Sequence, residues 1–318
     1  MLLQAFVAWH LSLGASEVIL YFDRPDDPAA DDLKQVPMLR AIPCDTRHWR
    51  RLGFSRPHRH QSRQVHNAND AYRQLSVDWV LHCDADEFIW AERPVSDCLD
   101  TIPDDVPSCV VPVAERAFPA GPAAESIFSG VFRRPFVGRP VLGRKLFGPG
   151  YAMTQRGLTG HAIGKSFVRT RQGVSLSIHR PKPKGDDPLR ADRAVDLTLL
   201  HFDGLTPLHW IYKVLRKAND VMHNDGQPAS RHRQRQIEAV LAQPNDAVAL
   251  HDRLKRLDAA QQAALSNRDL LVRVPFSPGA SSEAVFGQRA KCFAPKTVDA
   301  WLWSEKAEVL HRFGLRQE

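Results

Sequence analysis

Two carboxylates, Asp84 and Asp86, come directly after the apolar run VDWVLHC at residues 77–83. The run predicts a buried strand, and in an extended chain the side chains of residues two apart point to the same side. Both carboxylates could then reach one cation, and hard oxygen ligands of this kind suit Mg²⁺ or Mn²⁺. The alternative is a structural role, in which the acids cap a helix beginning near Phe88. A position at the end of a buried strand favours the cation, because a carboxylate there is costly without a ligand.

The elements that hold these acids alternate between helix and strand along the first half of the chain. Helical spacing covers residues 2–13 and 62–75, and strand-like runs cover residues 17–23, 38–43, 77–83 and 108–113. Because acids stand at the carboxyl ends of predicted strands, the pattern favours a doubly wound, mostly parallel sheet with ligands at that edge. Residues 115–190 are irregular and rich in Gly, Pro and Arg, which is typical of a functional loop region.

From about residue 206 the pattern becomes mainly helical. Helices are predicted at LHWIYKVLRKAND, RQIEAVLAQ and AVALHDRLKRLDAAQQAAL, and VDAWLWSEKAEVLHRFG predicts a terminal helix docked by its tryptophans. The predicted fold class is α/β, with a mostly parallel, Rossmann-like sheet flanked by helices and a helical C-terminal extension. We expect two domains, residues 1–217 and 218–318.

The positive charge is unevenly distributed. Net charge is +7 at pH 7, yet residues 46–69 contain six arginines and no acid, and residues 131–190 contain thirteen Lys or Arg residues against two acids. Such fields attract diphosphates, nucleic acid backbones or acidic lipid surfaces. The alternative for either segment is a solvated basic face.

The cysteines and the hydropathy indicate the cell compartment. Five cysteines without a CxxC pair predict neither a disulfide framework nor a zinc site, which favours a reducing compartment. The sequence lacks the ~20 consecutive apolar residues needed to span a bilayer. We expect a cytoplasmic protein, with peripheral contact at the inner, acidic face of the membrane.

The run WVLHCDADEF at residues 79–88 resembles the W-(V/L)-hydrophobic-D-x-D-E-F signature of bacterial family 2-like glycosyltransferases with a truncated GT-A core. Further blocks resemble the same group: FVAWHLSLGASEVILYFDRPDDP upstream, and GHAIGKSFVRT, IHRPK, LLHFDG and WIYKVLRK downstream. The resemblance covers residues 1–220. The chain departs from the family pattern at its start, where the first strand with its Asn-Glu pair is absent, and in having no ED pair after the DxD motif.

The resemblance implies a metal-dependent enzyme that moves a sugar from a nucleotide-sugar donor, a UDP-sugar, to a glycan or lipid-linked acceptor, with inversion. It implies that Mn²⁺ or Mg²⁺ lies between the donor diphosphate and the DxD motif. Asp86 is then the direct metal ligand, and Asp84 faces the ribose or the metal. His201 matches a metal or diphosphate ligand that lies late in the sequence of such enzymes, although a lone histidine is often a structural residue.

The remaining site residues follow from position within the family pattern. Asp23 matches the acid that contacts the base, unless it only starts the turn before Arg24 and Pro25. Glu115 is the candidate catalytic base, unless it forms a surface ion pair with Arg116. The residues expected near the nucleotide or its diphosphate are Arg63, Gln64, Asn67, Lys165 and Arg169.

We also expect some of four cationic residues to line the mouth of the DxD crevice: Arg133, Arg134, Lys165 and Arg169. The alternative for Lys165 and Arg169 is a solvated strand face.

Three other functions compete with sugar transfer. A degenerate GT-A scaffold could bind a nucleotide or polyanion without catalysis, and a nucleotidyltransferase could use the same acidic pair. Nucleic-acid binding is disfavoured, because the basic segments show little aromatic interleaving and no recognition motif. Metal-dependent binding of a nucleotide separates the enzyme from the binder.

Overall fold

A computed structural model of the chain describes residues 1–121, 124–183, 185, 188–222 and 228–317. The fold is α/β, with mixed sheets flanked by helices. Two compact units, each formed by three segments, divide the chain. The first unit contains residues 1–112, 163–199 and 278–291, and the second contains residues 113–162, 200–277 and 292–318.

The described residues form these α-helices, in chain order: α1 Leu2–Ser12, α2 Ala29–Leu33, α3 Thr46–Arg51, α4 His60–Gln74, α5 Val95–Asp100, α6 Pro140–Phe147, α7 Pro207–Met222, α8 Arg231–Ala242, α9 Ala247–Lys255, α10 Ala259–Ser266, α11 Gly279–Phe286, α12 Pro295–Glu305 and α13 Ala307–Arg312. Short 3-10 helices cover Pro149–Met153, Pro244–Asp246 and Gly287–Arg289. No described helix is both long and apolar enough to cross a bilayer.

The strands, in chain order, are β1 Val18–Phe22, β2 Leu39–Pro43, β3 Trp79–Leu81, β4 Glu87–Ala91, β5 Ser108–Val111, β6 Val113–Pro119, β7 Val131–Arg133, β8 Lys165–Arg169, β9 Val174–Ser175, β10 Lys182–Pro183, β11 Asp192–Arg193, β12 Leu197–His201, β13 Arg256–Leu257 and β14 Leu271–Val272. The chain passes from the first unit to the second within β12.

In the first unit, β8 lies between β5 and β3 and is antiparallel to both, while β11 adds to β5 in parallel. The register pairs Lys165 with Val111, so that Lys165 stands at one end of β8. Strands β1 and β2 form a separate parallel pair. Helix α1 packs on β4, where Trp9 Nε1 donates to the Ile89 carbonyl at 2.7 Å and Phe6 meets the Phe88 ring edge-on. These apolar contacts fix the residues that follow Asp84 and Asp86.

In the second unit, β7 pairs antiparallel with β6 and β14, and β13 pairs parallel with β6. The β6–β7 register sets Glu115 opposite Arg133. A core cluster that includes Val131, Phe136 and Phe147 is buried here. Both side chains of the charged pair therefore belong to a buried environment.

Most of the elements that the sequence predicted are present in the structure. The helices over 2–13 and 62–75 and the strands near 18–22, 39–43 and 108–111 are confirmed. The run 77–83 is a shorter strand than expected, and its residues are only partly buried. The stretch 247–265 is two helices separated by β13, because Asp258 caps a new helix with its carboxylate.

Two further expectations concern the C-terminal region. The terminal helix is divided into α12 and α13, and it packs through Val298, Leu302 and Leu310, whereas Trp301 is half exposed. Docking by the tryptophans is therefore wrong for Trp301. Residue 217 lies inside α7 of the second unit. The domain boundary after this residue stays a prediction.

The close approach of Gly164 to β5 gives a test of the first unit. A Cβ at Gly164 would come within 1.8 Å of the Val111 carbonyl oxygen. Gly164→Ala should lower the free energy of unfolding by about 1–3 kcal/mol, because the backbones must move apart at the β5–β8 pairing. Urea unfolding followed by circular dichroism measures the change, with Gly185→Ala as the control, since nothing lies within 4 Å of a Cβ there. If the two variants unfolded at the same urea concentration, the close approach of Gly164 to the Val111 carbonyl would be contradicted.

Candidate functional site

Residues 84–87, named here the acidic turn, close on themselves instead of extending β3. The Glu87 N–H donates to the Asp84 carbonyl at 3.0 Å, and the Asp84 N–H donates to Glu87 Oε2 at 2.7 Å. The argument that Asp84 and Asp86 share one side of an extended chain is therefore wrong. Helix capping is wrong as well, because Glu87 begins the strand β4.

Lys165 is the fully buried counter-ion of the acidic turn. Its Nζ donates to Asp84 Oδ2 at 2.9 Å and to the Ile178 carbonyl at 2.9 Å, and it lies 3.3 Å from Glu87 Oε2. Burial lowers the pKa of Lys165, but the charges of Asp84 and Glu87 outweigh burial and hold that pKa above its ordinary value. The ammonium therefore stays charged and fixes the turn. A solvated strand face is wrong for Lys165, whose side chain is 0% exposed.

The first turn of α4 connects the acidic turn to Asp23 at the end of β1. Gln64 Nε2 donates to Asp84 Oδ1 at 2.8 Å. The neighbouring Arg63 binds the Asp23 carboxylate, with Nε–Oδ1 at 2.6 Å and Nη2–Oδ2 at 2.8 Å. Arg56 lies 3.0 Å from the same carboxylate, so that two guanidiniums hold Asp23. We call Asp23, Arg63, Gln64, Asp84 and Lys165 the α4 network.

Asn67 lies one helical turn beyond Arg63 and supports the network from behind. Its side chain is buried, with Oδ1 2.9 Å from His48 Nε2 and Nδ2 donating to Cys44 Sγ at 3.3 Å. Beside Arg56 is a cavity of about 490 Å³. Its lining combines aromatic rings, cations and hydroxyls: Trp49, Phe54, Arg50, Arg56, Thr46 and Ser55.

The partners of the acidic carboxylates decide whether the turn suits a divalent cation. Both oxygens of Asp84 already accept hydrogen bonds, from Gln64 and Lys165. Asp86 is partly exposed at the third position of the turn. Within the described ranges, no three or more His, Cys, Asp or Glu side chains are grouped so as to hold a metal ion. Mg²⁺ needs only one or two carboxylates when substrate phosphates and waters complete its shell, so two acids would be enough for a cation that arrives with a diphosphate. The metal role of Asp84 and Asp86 stays a prediction.

In the second unit, Glu115 is the centre of a buried polar cluster. Its Oε1 accepts hydrogen bonds from the Thr159 N–H at 2.6 Å and the Thr159 hydroxyl at 2.8 Å, and its Oε2 accepts one from the Gly160 N–H at 2.7 Å. Arg133 and Lys255 lie 3.5 and 3.6 Å from Oε1. Glu115 is fully buried.

These contacts determine the protonation of Glu115. Burial disfavours the charged carboxylate, but the Lys255 charge and the nearby His201 ring outweigh burial and hold the pKa of Glu115 well below its usual range. A carboxylate that is stabilised in this way accepts a proton poorly, so the geometry does not favour Glu115 as a base. The surface ion pair with Arg116 is wrong, because Arg116 is buried and donates to the carbonyls of Ile127 and Leu205.

His201 is held on three sides within the second unit. Its Nδ1 lies 3.6 Å from Glu115 Oε2, and the His161 ring stacks on it with the centroids 4.7 Å apart. A Cβ at Gly160 would come within 2.6 Å of His201 Cε1. A carboxylate at one ring nitrogen is typical of metal-binding histidines. The ligand role of His201 stays a prediction.

The cationic residues expected at one crevice mouth have different surroundings. Arg133 is buried and donates to the Leu254 carbonyl at 2.9 Å. The prediction that it lines the mouth of the DxD crevice is therefore wrong. Arg169 donates to the Ile102 carbonyl at 2.8 Å and covers the Trp79 ring. It stands about 13 Å along β8 from Lys165, at a rise of roughly 3.3 Å per residue. Arg134 is exposed in the second unit.

Sequence analysis missed three buried charged residues. Glu87 closes the acidic turn, and Lys255 Nζ donates to the Thr159 hydroxyl at 3.1 Å. Asp203 is 1% exposed and lies 3.0 Å from Lys213 Nζ and 3.1 Å from an Arg233 nitrogen. The signal for Asp203 was its place directly after the apolar run LTLLHF, where an acid needs a partner.

The predicted residues are divided between the two units. The α4 network belongs to the first unit, and Glu115 with His201 belongs to the second. No protein-family model matches the chain, and no curated protein matches its sequence.

Lys165→Met tests the buried counter-ion. The substitution keeps the length of the side chain but leaves Asp84 and the fully buried Glu87 without their cation. We expect the free energy of unfolding to fall by about 3–5 kcal/mol, measured by urea unfolding. Lys182→Met, at an exposed lysine, is the matched control. If Lys165→Met and the control unfolded at the same urea concentration, the Lys165 ammonium would not be what holds the acidic turn.

Glu115→Gln tests the charge of the second buried cluster. A carboxylate whose pKa is lower in the folded than in the unfolded state stabilises the fold above the unfolded pKa, and this stability is lost as pH falls towards the folded pKa. We expect the variant to lose about 3–5 kcal/mol at pH 7 and to show a weaker loss of stability below about pH 4.3 than the wild type. Unfolding at a series of pH values measures both effects, and Glu125→Gln is the exposed control. Parallel pH curves for wild type and Glu115→Gln would contradict the depressed pKa of Glu115.

Proposed function

We propose that the chain is a metal-dependent glycosyltransferase that moves a sugar from a UDP-sugar to a glycan or lipid-linked acceptor, with inversion. The α4 network is the observation that carries the proposal. Consecutive residues of one helix, Arg63 and Gln64, bind the acid that ends β1 and the acid that opens the acidic turn. In the proposed site one acid accepts a hydrogen bond from the nucleobase, and the other holds the cation that binds the diphosphate. The parallel pair β1–β2, with Asp23 directly after β1, supports a GT-A arrangement as part of the same proposal.

The nucleoside end of the donor is assigned to Asp23 and the adjoining cavity. A half-exposed carboxylate held by two guanidiniums can accept an N–H from a nucleobase. The cavity of about 490 Å³ is within the size range of small-molecule sites. Phe54 lines it with a ring that is 45% exposed, which offers a stacking surface for the base.

The diphosphate end is assigned to the acidic turn. Asp86 would hold the cation together with Asp84, and a divalent cation stabilises the negative charge on a departing nucleoside diphosphate. Gln64 and Lys165 orient Asp84 by binding one carboxylate oxygen each. Because Lys165 is buried and charged, it supplies this carboxylate with a counter-ion before any ligand arrives.

A second candidate function is a nucleotide or polyanion binder without catalysis. The observation in its favour is Glu115, whose carboxylate accepts three hydrogen bonds and lies near two cations. A residue held in this way is a poor base, and the sequence offers no ED pair in its place. Both functions share the nucleotide site, and the enzyme is expected to differ from the binder in metal-dependent tightening of the nucleotide and in turnover.

Nucleotide binding tests the shared site and the metal dependence that is expected of the enzyme. Isothermal titration calorimetry should show that UDP binds wild-type protein at least about tenfold more tightly, a difference of 1.4 kcal/mol, with Mn²⁺ than with EDTA. Asp86→Ala should abolish this difference, whereas the control Asp100→Ala at an exposed acid of α5 should retain it. Arg63→Met should weaken UDP binding with either additive, compared with Arg73→Met at the exposed end of α4. Metal-independent binding in the wild type would contradict the assignment of the acidic turn.

Turnover separates the enzyme from the binder. Release of UDP from a panel of UDP-sugars, measured with and without Mn²⁺, should be detectable for the wild type and lost in Asp86→Ala. If UDP-sugars bound but no UDP was released with any acceptor or metal tested, the non-catalytic binder would be favoured.

A further inference from the structure

Residues 134–145 of the second unit, named here the basic aliphatic face, expose apolar side chains to water. Val137 is 78% exposed, Val141 is 64% exposed and Leu142 is 37% exposed. Exposed apolar residues scattered singly are ordinary on a protein surface. Three within six positions form a local patch that the packing of the unit leaves uncovered.

The same face carries a concentration of positive charge. Its exposed cationic residues are Arg134, Arg139, Arg144 and Lys145. The sequence from residue 126 to residue 185 contains no Asp or Glu. The neighbouring acids are Asp258, which caps the helix α10 packed on α6, and Asp269, which adjoins Leu270 next to Arg134. The acid-free segment therefore gives the face a net positive charge.

The opposite side of α6 fixes the face in place. Leu146 and Phe147 are buried in a core cluster that includes Phe136. Gly143 meets Tyr151 so closely that a Cβ there would come within 2.3 Å of the tyrosine ring. The exposed residues of α6 are therefore presented by a short helix that is rigidly packed on its inner side.

The mixture of side chains identifies the chemistry of the occupant. A nucleic acid backbone would contact the cationic side chains alone, and the exposed aliphatic side chains would have no role in binding it. A membrane surface uses both, because aliphatic side chains enter the boundary between headgroups and acyl chains while lysines and arginines meet anionic headgroups. We propose that the basic aliphatic face docks the second unit onto a bilayer containing anionic lipids. The proposal does not depend on sugar transfer, although a lipid-linked acceptor would be met at such a surface.

Vesicle co-sedimentation of the full chain tests the proposal. The protein should pellet with vesicles of phosphatidylcholine and phosphatidylglycerol, should pellet far less with phosphatidylcholine alone, and should be released as salt screens the charges. No UDP or metal is needed in this assay, so its outcome is separate from that of the nucleotide experiments. Failure to bind the anionic vesicles at low salt would overturn the proposal.

Substitutions test the aliphatic part of the face. Val141→Asn with Leu142→Asn should reduce partitioning onto the anionic vesicles at least about tenfold, since less apolar surface enters the bilayer. The matched control replaces Val195 and Val248 with Asn, because these valines are 85% and 52% exposed elsewhere on the chain. Equal partitioning of the two double variants would overturn the proposal.

Substitutions also test the cationic part. The triple variant Arg139→Gln, Arg144→Gln and Lys145→Gln should lose binding at least about tenfold. The control triple variant Arg47→Gln, Arg59→Gln and Arg73→Gln removes the same charge from exposed positions of the first unit and should bind almost as well as the wild type. Equal losses in both triple variants would show attraction by net charge alone and overturn the proposal. The wild type could instead form a dimer and not bind vesicles. If Val141→Asn with Leu142→Asn abolished that dimer, the face would bind a second copy of the chain and the proposal would be overturned.

Discussion

The Lys165 ammonium is buried against the carboxylates of Asp84 and Glu87, and the geometry of the acidic turn depends on this contact. Taking these charges out of water is costly unless they pair. The pairing requires the start of β8 to lie against the turn that follows β3, which the antiparallel pairing of these two strands provides. Gln64 then reaches the second oxygen of Asp84 and joins α4 to the same edge. The geometry of the proposed donor site therefore follows from the pairing of one buried cation, Lys165, with its carboxylates.

The sequence predicted elements better than it predicted how polar side chains are used. Apolar spacing predicted α1, α4 and β1, because burial on one face leaves a periodic pattern. It placed Asp84 and Asp86 at a strand end, yet it could not show that a turn follows the strand, since the hydrogen bond between Glu87 and Asp84 has no spacing signature. Lys255 was missed for a similar reason: its partner Thr159 is 96 residues away in the chain.

Positive charge in this chain has two physical roles that composition alone cannot separate. Arg133 and Lys165 are buried and neutralise the carboxylates of Glu115 and Asp84, so they contribute to stability through pairing. Exposed cations such as Arg144, by contrast, remain available to an anionic partner. The net charge of +7 is therefore a sum over residues with different functions.

The most direct test of the proposed donor site is a crystal structure of the chain grown with UDP and Mn²⁺, with data collected at the manganese absorption edge. We expect an anomalous peak between the Asp86 carboxylate and the UDP diphosphate, with the uracil against Asp23 and Arg63. UDP bound away from the α4 network, or bound there with no manganese at the acidic turn, would contradict the proposed donor site.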